Sequence, residues 1–158
     1  MTIIEQNHRG VIATSYRYFT AARSWIEQIP LSLIQLAMRI AVGMVFFNSG
    51  MLKINSWQFA LKLFEDEYKV PFLDPLWAAR IATFTELTFS VMIIVGLATR
   101  MATLPLLGMI AVIQAFVYPH AWTEHLLWAS ILLFLLSRGP GAISLDHWIE
   151  RQFKYGAM

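Results

Sequence analysis

The sequence predicts an all-α membrane protein: one bundle of four transmembrane helices, with short amphipathic helices at its surfaces and both termini cytoplasmic. Three observations carry that expectation. Hydrophobic residues make up 58% of the 158, with a mean hydropathy of +0.56, above the roughly 45–50% apolar content of soluble domains. The excess lies in long runs, and about 20 apolar residues suffice for a helix to cross a bilayer. The run 76–98 also carries Arg80 and Glu86. A charge at membrane depth costs on the order of 3 kcal/mol, so this helix belongs inside a bundle that can answer its two charges.

The elements follow in order, within a single membrane domain. Ile12, Tyr16, Phe19 and Ile26 recur at helical spacing among Arg9, Arg17 and Arg23. A basic amphipathic pattern of this kind reads as a helix on the membrane surface over about 11–28, with an irregular tail as the alternative. Pro30 suits the start of a first span over 31–52. In it Ala37 and Ala41 permit close helix approach, helped by Gly43 and Gly50. Trp57, Leu61, Phe64 and Tyr68 share one face of the next stretch, with Lys62, Glu65, Asp66 and Lys69 on the other. This predicts an amphipathic helix over about 56–68, too short and too charged to span.

Pro71 and Pro75 end that helix and introduce the second span, 76–98. Thr99 and Arg100 are expected to form a tight turn before the third span, 101–118, which Pro119 breaks. A fourth span, 121–137, stops at the sequence Arg138, Gly139, Pro140, Gly141. Leu145, Trp148, Ile149 and Phe153, with Arg151 and Lys154, predict a last surface helix over about 144–154. There is no internal repeat, and no compact signal sequence is expected in the first 30 residues.

Lys and Arg in the connections set the orientation. Arg9, Arg17, Arg23, Arg100, Arg138, Arg151 and Lys154 fall on one side; Lys53, Lys62 and Lys69 fall on the other. The side with seven is cytoplasmic. A net charge of +2 with dispersed basic residues leaves no nucleic-acid patch, and the absence of Cys excludes disulfides and thiolate chemistry within the chain.

Depth then groups the polar residues. Arg39 in the first span and Glu86 in the second both stand near mid-membrane, which suggests an intramembrane charge pair. Arg80 and Glu124 stand nearer the outer surface and suggest a second pair. Asn48, Lys53, Arg80, Gln114, His120, Glu124 and His125 are the candidate ligand-binding residues of an outward-facing polar pocket. Ionisable residues inside membranes commonly mark ligand or proton paths. The alternative is that they hold the bundle together and bind nothing. Arg80 and His120 could contact a ligand headgroup such as a quinone ring or a lipid phosphate. No metal site is expected: His120 and Glu124 share a helical spacing, but His125 points away and no HExxH motif occurs.

Three segments resemble the DoxX family. They are NSGMLKINSW at 48–57, FTELTFSVMIIVGLATRMA at 84–102 and SRGPGAISLD at 137–146. Their order is the family's: a first span ending in G-x-x-K, an acidic residue in the second before G-L-x-T-R, and G-P-G-x-x-S-L-D after the fourth. The resemblance covers about 33–147. It implies a four-helix bundle in a prokaryotic inner membrane and an association with quinol oxidase, thiosulfate:quinone oxidoreductase or thiol-redox systems. It supplies no catalytic residues.

Two functions follow as expectations. One is a non-catalytic accessory subunit of a membrane oxidoreductase or respiratory complex, near a quinone, with the redox centre in a partner because the chain has no cofactor motif of its own. The other is an independent binding or transport protein for a small molecule or lipid, using the outer pocket. The partners expected are membrane lipids, other membrane or periplasmic redox subunits, or a second copy of the chain.

Overall fold

The computed structural model describes residues 16–21 and 23–156. The described residues form helices and connections and no strand. Residues 16–21 and 23–27 are helical and exposed, with Arg23 donating to Glu27 at 2.7 Å. Arg9, Ile12 and the start of the expected N-terminal helix lie outside the described residues.

The first long helix, α1, is Leu31–Asn55. A short helix α2, Trp57–Leu63, runs on into one π-helical turn, Phe64–Tyr68. Then come α3, Pro75–Val95, and α4, Thr99–Val112, which also ends in a π-helical turn, Ile113–Val117. α5 is Trp122–Arg138 and α6 is Leu145–Gly156. α1 packs on α3, α3 on α4, α4 on α5, and α5 returns to α1, so the four long helices close a ring. Val42, Phe46, Ile93, Ala102, Leu106, Ile110, Leu132 and Leu135 form its buried core.

Three of these stretches are long and apolar enough to cross a membrane: Leu31–Asn55, Pro75–Val95 and Thr99–Val117. α5, at 17 residues, is about 25 Å long.

Pro75 occupies the first turn of α3, where its missing N–H costs nothing, and the Asp74 side chain accepts from the Leu76 amide at 3.0 Å. The turn after α3 differs from the expected one. Thr99 and Arg100 belong to α4, and the chain reverses at 96–98. Gly96 ends α3 at φ 75°, in the left-handed region that an L side chain enters at a cost. The Asp146 carboxylate then accepts from the amides of Ala98, at 2.6 Å, and Thr99, at 3.0 Å. That cap starts α4 two residues earlier than hydropathy places it, because a carboxylate satisfies amides that the helix leaves unpaired.

The same end of the bundle is tied to α1. Gln35 donates to the Gly139 carbonyl at 3.0 Å, and Arg39 donates to the Pro140 carbonyl at 3.2 Å. Asp146 donates its own amide to the Gly96 carbonyl at 2.9 Å. The segments GLATR and RGPGAISLD therefore make one clasp, with Gln35 and Arg39 as its buried pins.

Two glycines set how α1 lies on α3. A Cβ on Gly50 would stand 2.7 Å from Leu87 Cγ and 3.2 Å from Glu86 Cβ. A Cβ on Gly43 would meet the Ile94 side chain and stand 3.2 Å from the Ser90 carbonyl. Further along, Arg39 packs against Gly96. Glu86 is thus level with Gly50, and Arg39 with Gly96. On α1 the positions 39 and 50 are separated by about 16 Å at 1.5 Å per residue. The expected pair of Arg39 with Glu86 is accordingly not formed: each side chain has its own partner at its own level.

Candidate functional site

Glu86 is 4% exposed and sits in the middle of α3. Lys53, in the last turn of α1, reaches it with Nζ 2.7 Å from one carboxylate oxygen and 2.9 Å from the other. Ser49, one turn before Lys53 on the same face, donates its hydroxyl to Glu86 at 3.0 Å, while Lys53 donates to the Ser49 oxygen at 3.0 Å. The carboxylate therefore has a countercharge and a hydroxyl donor. Buried ion pairs persist when their remaining hydrogen bonds are met in this way.

A cavity of about 460 Å³ opens beside this cluster. α1 contributes Ser49 and Lys53, α3 contributes Thr85 and Glu86, and α5 contributes Glu124, His125 and Trp128. The rest of the wall is largely apolar and comes from α3, α4, the two π-helical turns and the connections that follow those turns. π turns widen a helix by one residue and recur at functional sites.

His125 is buried, at 4% exposure. Its Nδ1 is 2.6 Å from the Gln114 side-chain oxygen. Gln114 uses its own amide nitrogen to donate to the Pro119 carbonyl at 2.8 Å, so its oxygen is the acceptor toward His125. On that network the Nδ1 of His125 carries the hydrogen and Nε2 is an acceptor in the neutral ring. The imidazole leans on Trp128 with ring centroids 5.6 Å apart, and Trp128 meets Phe46 edge-on at 5.9 Å.

The end of the cavity nearest the 56–75 connection is strapped. Tyr68 packs edge-on against Tyr118 at 5.7 Å, and the Tyr118 hydroxyl donates to Glu67 at 2.7 Å. Partial burial and this donation hold the Tyr118 phenol above its ordinary titration range.

The seven expected pocket residues separate on this geometry. Lys53, Glu124 and His125 line the cavity, and Gln114 stands behind His125 as its hydrogen-bond partner. Asn48 is exposed, because 100° of helical rotation separates it from Ser49, which faces the cavity. Arg80 is exposed and lies over the Trp77 ring at 5.2 Å rather than against Glu124. His120 is exposed in the turn before α5. The charge partner of Glu86 is Lys53, which was counted among the pocket residues, and not Arg39, which is buried at 2% exposure in the clasp.

Sequence reasoning missed Ser49, Tyr68, Trp128 and both π turns. The spacing of Ser49 and Lys53 was a usable signal. The π turns left none, since residues 64–68 and 113–117 read as ordinary helix.

The DoxX family model matches residues 34–119, from early α1 through the second π turn. The chain belongs to the DoxX family. The match takes in Ser49, Lys53, Glu86 and Gln114 of this DoxX protein and stops before α5, which carries Glu124 and His125. An uncharacterized protein of Haemophilus influenzae is 27% identical over 130 residues, covering 75% of this chain and 84% of the relative. No solved structure matches the DoxX chain.

Proposed function

We propose that this DoxX protein is a multi-pass subunit of a prokaryotic inner membrane that accompanies a membrane oxidoreductase and holds a quinone ring in the 460 Å³ cavity. The observation that carries the reading is the cavity's composition. Its walls are largely apolar, and its two polar clusters, Glu86 with Lys53 and His125 with Gln114 behind it, come from different helices. Ligand pockets combine apolar walls with a few placed polar groups in this way, at volumes of roughly 300–1,000 Å³. A quinone offers two carbonyl oxygens and a flat apolar ring. Lys53 can donate to one oxygen by releasing its bond to the Ser49 hydroxyl, since its three hydrogens are otherwise held by Ser49 and Glu86. His125, when protonated at Nε2, can donate to the other, and in its neutral form it can accept from the hydroquinone hydroxyl. Electrons come from and go to a partner subunit, since the chain carries no redox motif of its own.

The test is direct binding of a short-chain ubiquinone analogue to the purified protein in detergent. Glu86→Gln and His125→Ala are expected each to weaken binding about tenfold, the equivalent of about 1.4 kcal/mol. Unchanged affinity in both variants, with the fold intact by circular dichroism, would remove the cavity as the site. The same cavity is built by a single chain, which also favours the second reading, a free-standing binding protein for a lipophilic small molecule. Purification at native expression level separates them: redox subunits that co-purify support the accessory role, and a lone homo-oligomer supports the second.

The proposed topology has four spans and cytoplasmic termini. It rests on the Lys and Arg distribution and on α5 being about 25 Å long, close to the roughly 30 Å hydrocarbon core. The chain contains no Cys, so single cysteines report cleanly. In intact cells, an impermeant thiol reagent is expected to label Asp66→Cys and to leave Gly156→Cys unlabelled. The reverse pattern would invert the topology.

A further inference from the structure

We infer that the cavity opens sideways into the lipid between α3 and α4, and that Gly108 is the gap through which the tail of its ligand leaves. The inference rests on the quinone reading and adds the ligand's route and the feature that selects it. Along the helices α3 and α4, Ile81, Gly108 and Val112 both line the cavity and are exposed; the other exposed wall residues, Leu73, Tyr118 and Glu124, stand at the end of the cavity near the connections. A wall residue that is also on the outside marks an opening. At Gly108 the opening is unobstructed, because a Cβ placed there would meet no heavy atom within 4 Å.

The opening lies at membrane depth and at the height of the polar cluster. α3 and α4 are antiparallel around the turn at 96–98. Glu86 lies nine residues before Val95, and Gly108 nine residues after Thr99. Both are therefore about 14 Å from that turn at 1.5 Å per residue. The opposite end of the cavity is narrowed by the contacts among Tyr68, Tyr118 and Glu67. There the exposed wall residues are Leu73, Tyr118 and Glu124, two of them polar, so that end suits water rather than a tail. A cavity of about 460 Å³ can house a ring and the start of a chain. A long isoprenoid tail exceeds it and has to lie in lipid. An opening flanked by Ile81 and Val112 suits such a tail and does not suit a hydrophilic solute, which would have to cross an apolar rim.

The experiment compares two probes: the bare dimethoxy-methyl-benzoquinone ring, and the same ring on a long isoprenoid tail. Each is titrated into wild type, Gly108→Trp and Gly108→Leu in nanodiscs. Both replacements fill empty space and are expected to fold. They are expected to weaken the tailed ligand at least about tenfold, and to leave the bare ring within about twofold, where tenfold corresponds to about 1.4 kcal/mol. Leu104→Trp is the control. It lies one turn away on the same face of α4, is 47% exposed and is not part of the cavity wall; it should change neither probe. Equal loss of both ligands in the Gly108 variants, or no loss of either, overturns the sideways opening while leaving the site in place. Failure of wild type to bind either ring overturns the quinone reading itself, and this inference with it.

Discussion

Lys53→Met is expected to lower the protein's stability by about 3 kcal/mol, within the 3–5 kcal/mol typical of stranding one member of a buried ion pair. For a chain of this size that corresponds to a fall in Tm of about 10 °C. The cause is Glu86: at 4% exposure in the middle of α3, it would keep only Ser49 as a partner. Adding Glu86→Gln to Lys53→Met should restore most of the loss, since a neutral amide is far less costly to bury than an uncompensated carboxylate. Glu86→Gln alone should cost less than Lys53→Met, because a lysine at a helix end can swing its ammonium toward water. Thermal unfolding of the four proteins in one detergent completes the cycle. Losses that simply add would show that the two side chains, though 2.7 Å apart, do not depend on each other.

Gly50→Leu is expected to be as damaging, for a steric reason. Its Cβ alone would press within 2.7 Å of Leu87 Cγ and 3.2 Å of Glu86 Cβ. A full side chain has to push α1 off α3 and would pull Lys53 from Glu86 as it does so. Overpacking costs typically about 1–3 kcal/mol, and the strained ion pair places this variant at the upper end. Gly50→Ala should still be destabilising, because the collision outweighs the gain in helix propensity of about 1 kcal/mol. The comparison is Gly108→Ala, which gains the same propensity and meets nothing. It should be neutral or up to about 1 kcal/mol more stable. Thermal or SDS unfolding of the alanine pair measures the difference. Equal behaviour of the two would refute close packing at Gly50.

Part of the lining of the candidate site was legible in the sequence. Lys53, Glu124 and His125 carry charge or imidazole at the ends of apolar runs, where polar groups are costly enough to need a purpose, and all three line the cavity. Gln114 was found for the same reason, although its part is to hold His125. Asn48, Arg80 and His120 satisfied the same criterion of depth and still face outward. Depth fixes one coordinate of a side chain and leaves its rotation about the helix axis free. Arg80 could also satisfy its charge at the surface, over Trp77, which no count of residues excludes.

The sequence by itself determined that the chain is helical, roughly where each long helix begins and ends, and that polar groups lie within the apolar helices. Those are local matters: apolar runs, Pro75 at a helix start, Gly96 and Gly139 at helix ends. The tertiary structure alone decided which acid meets which base. Arg39 and Glu86 each lie near the middle of their own helix, and centring the two helices would join them. α1 and α3 are instead registered by the glycines that let them touch, with Gly50 against Glu86 and Leu87, and Gly43 against Ser90 and Ile94. That register carries Arg39 to the Pro140 carbonyl and Glu86 to Lys53. Closest approach between two helices depends on side-chain volume on both, so no single helix encodes it.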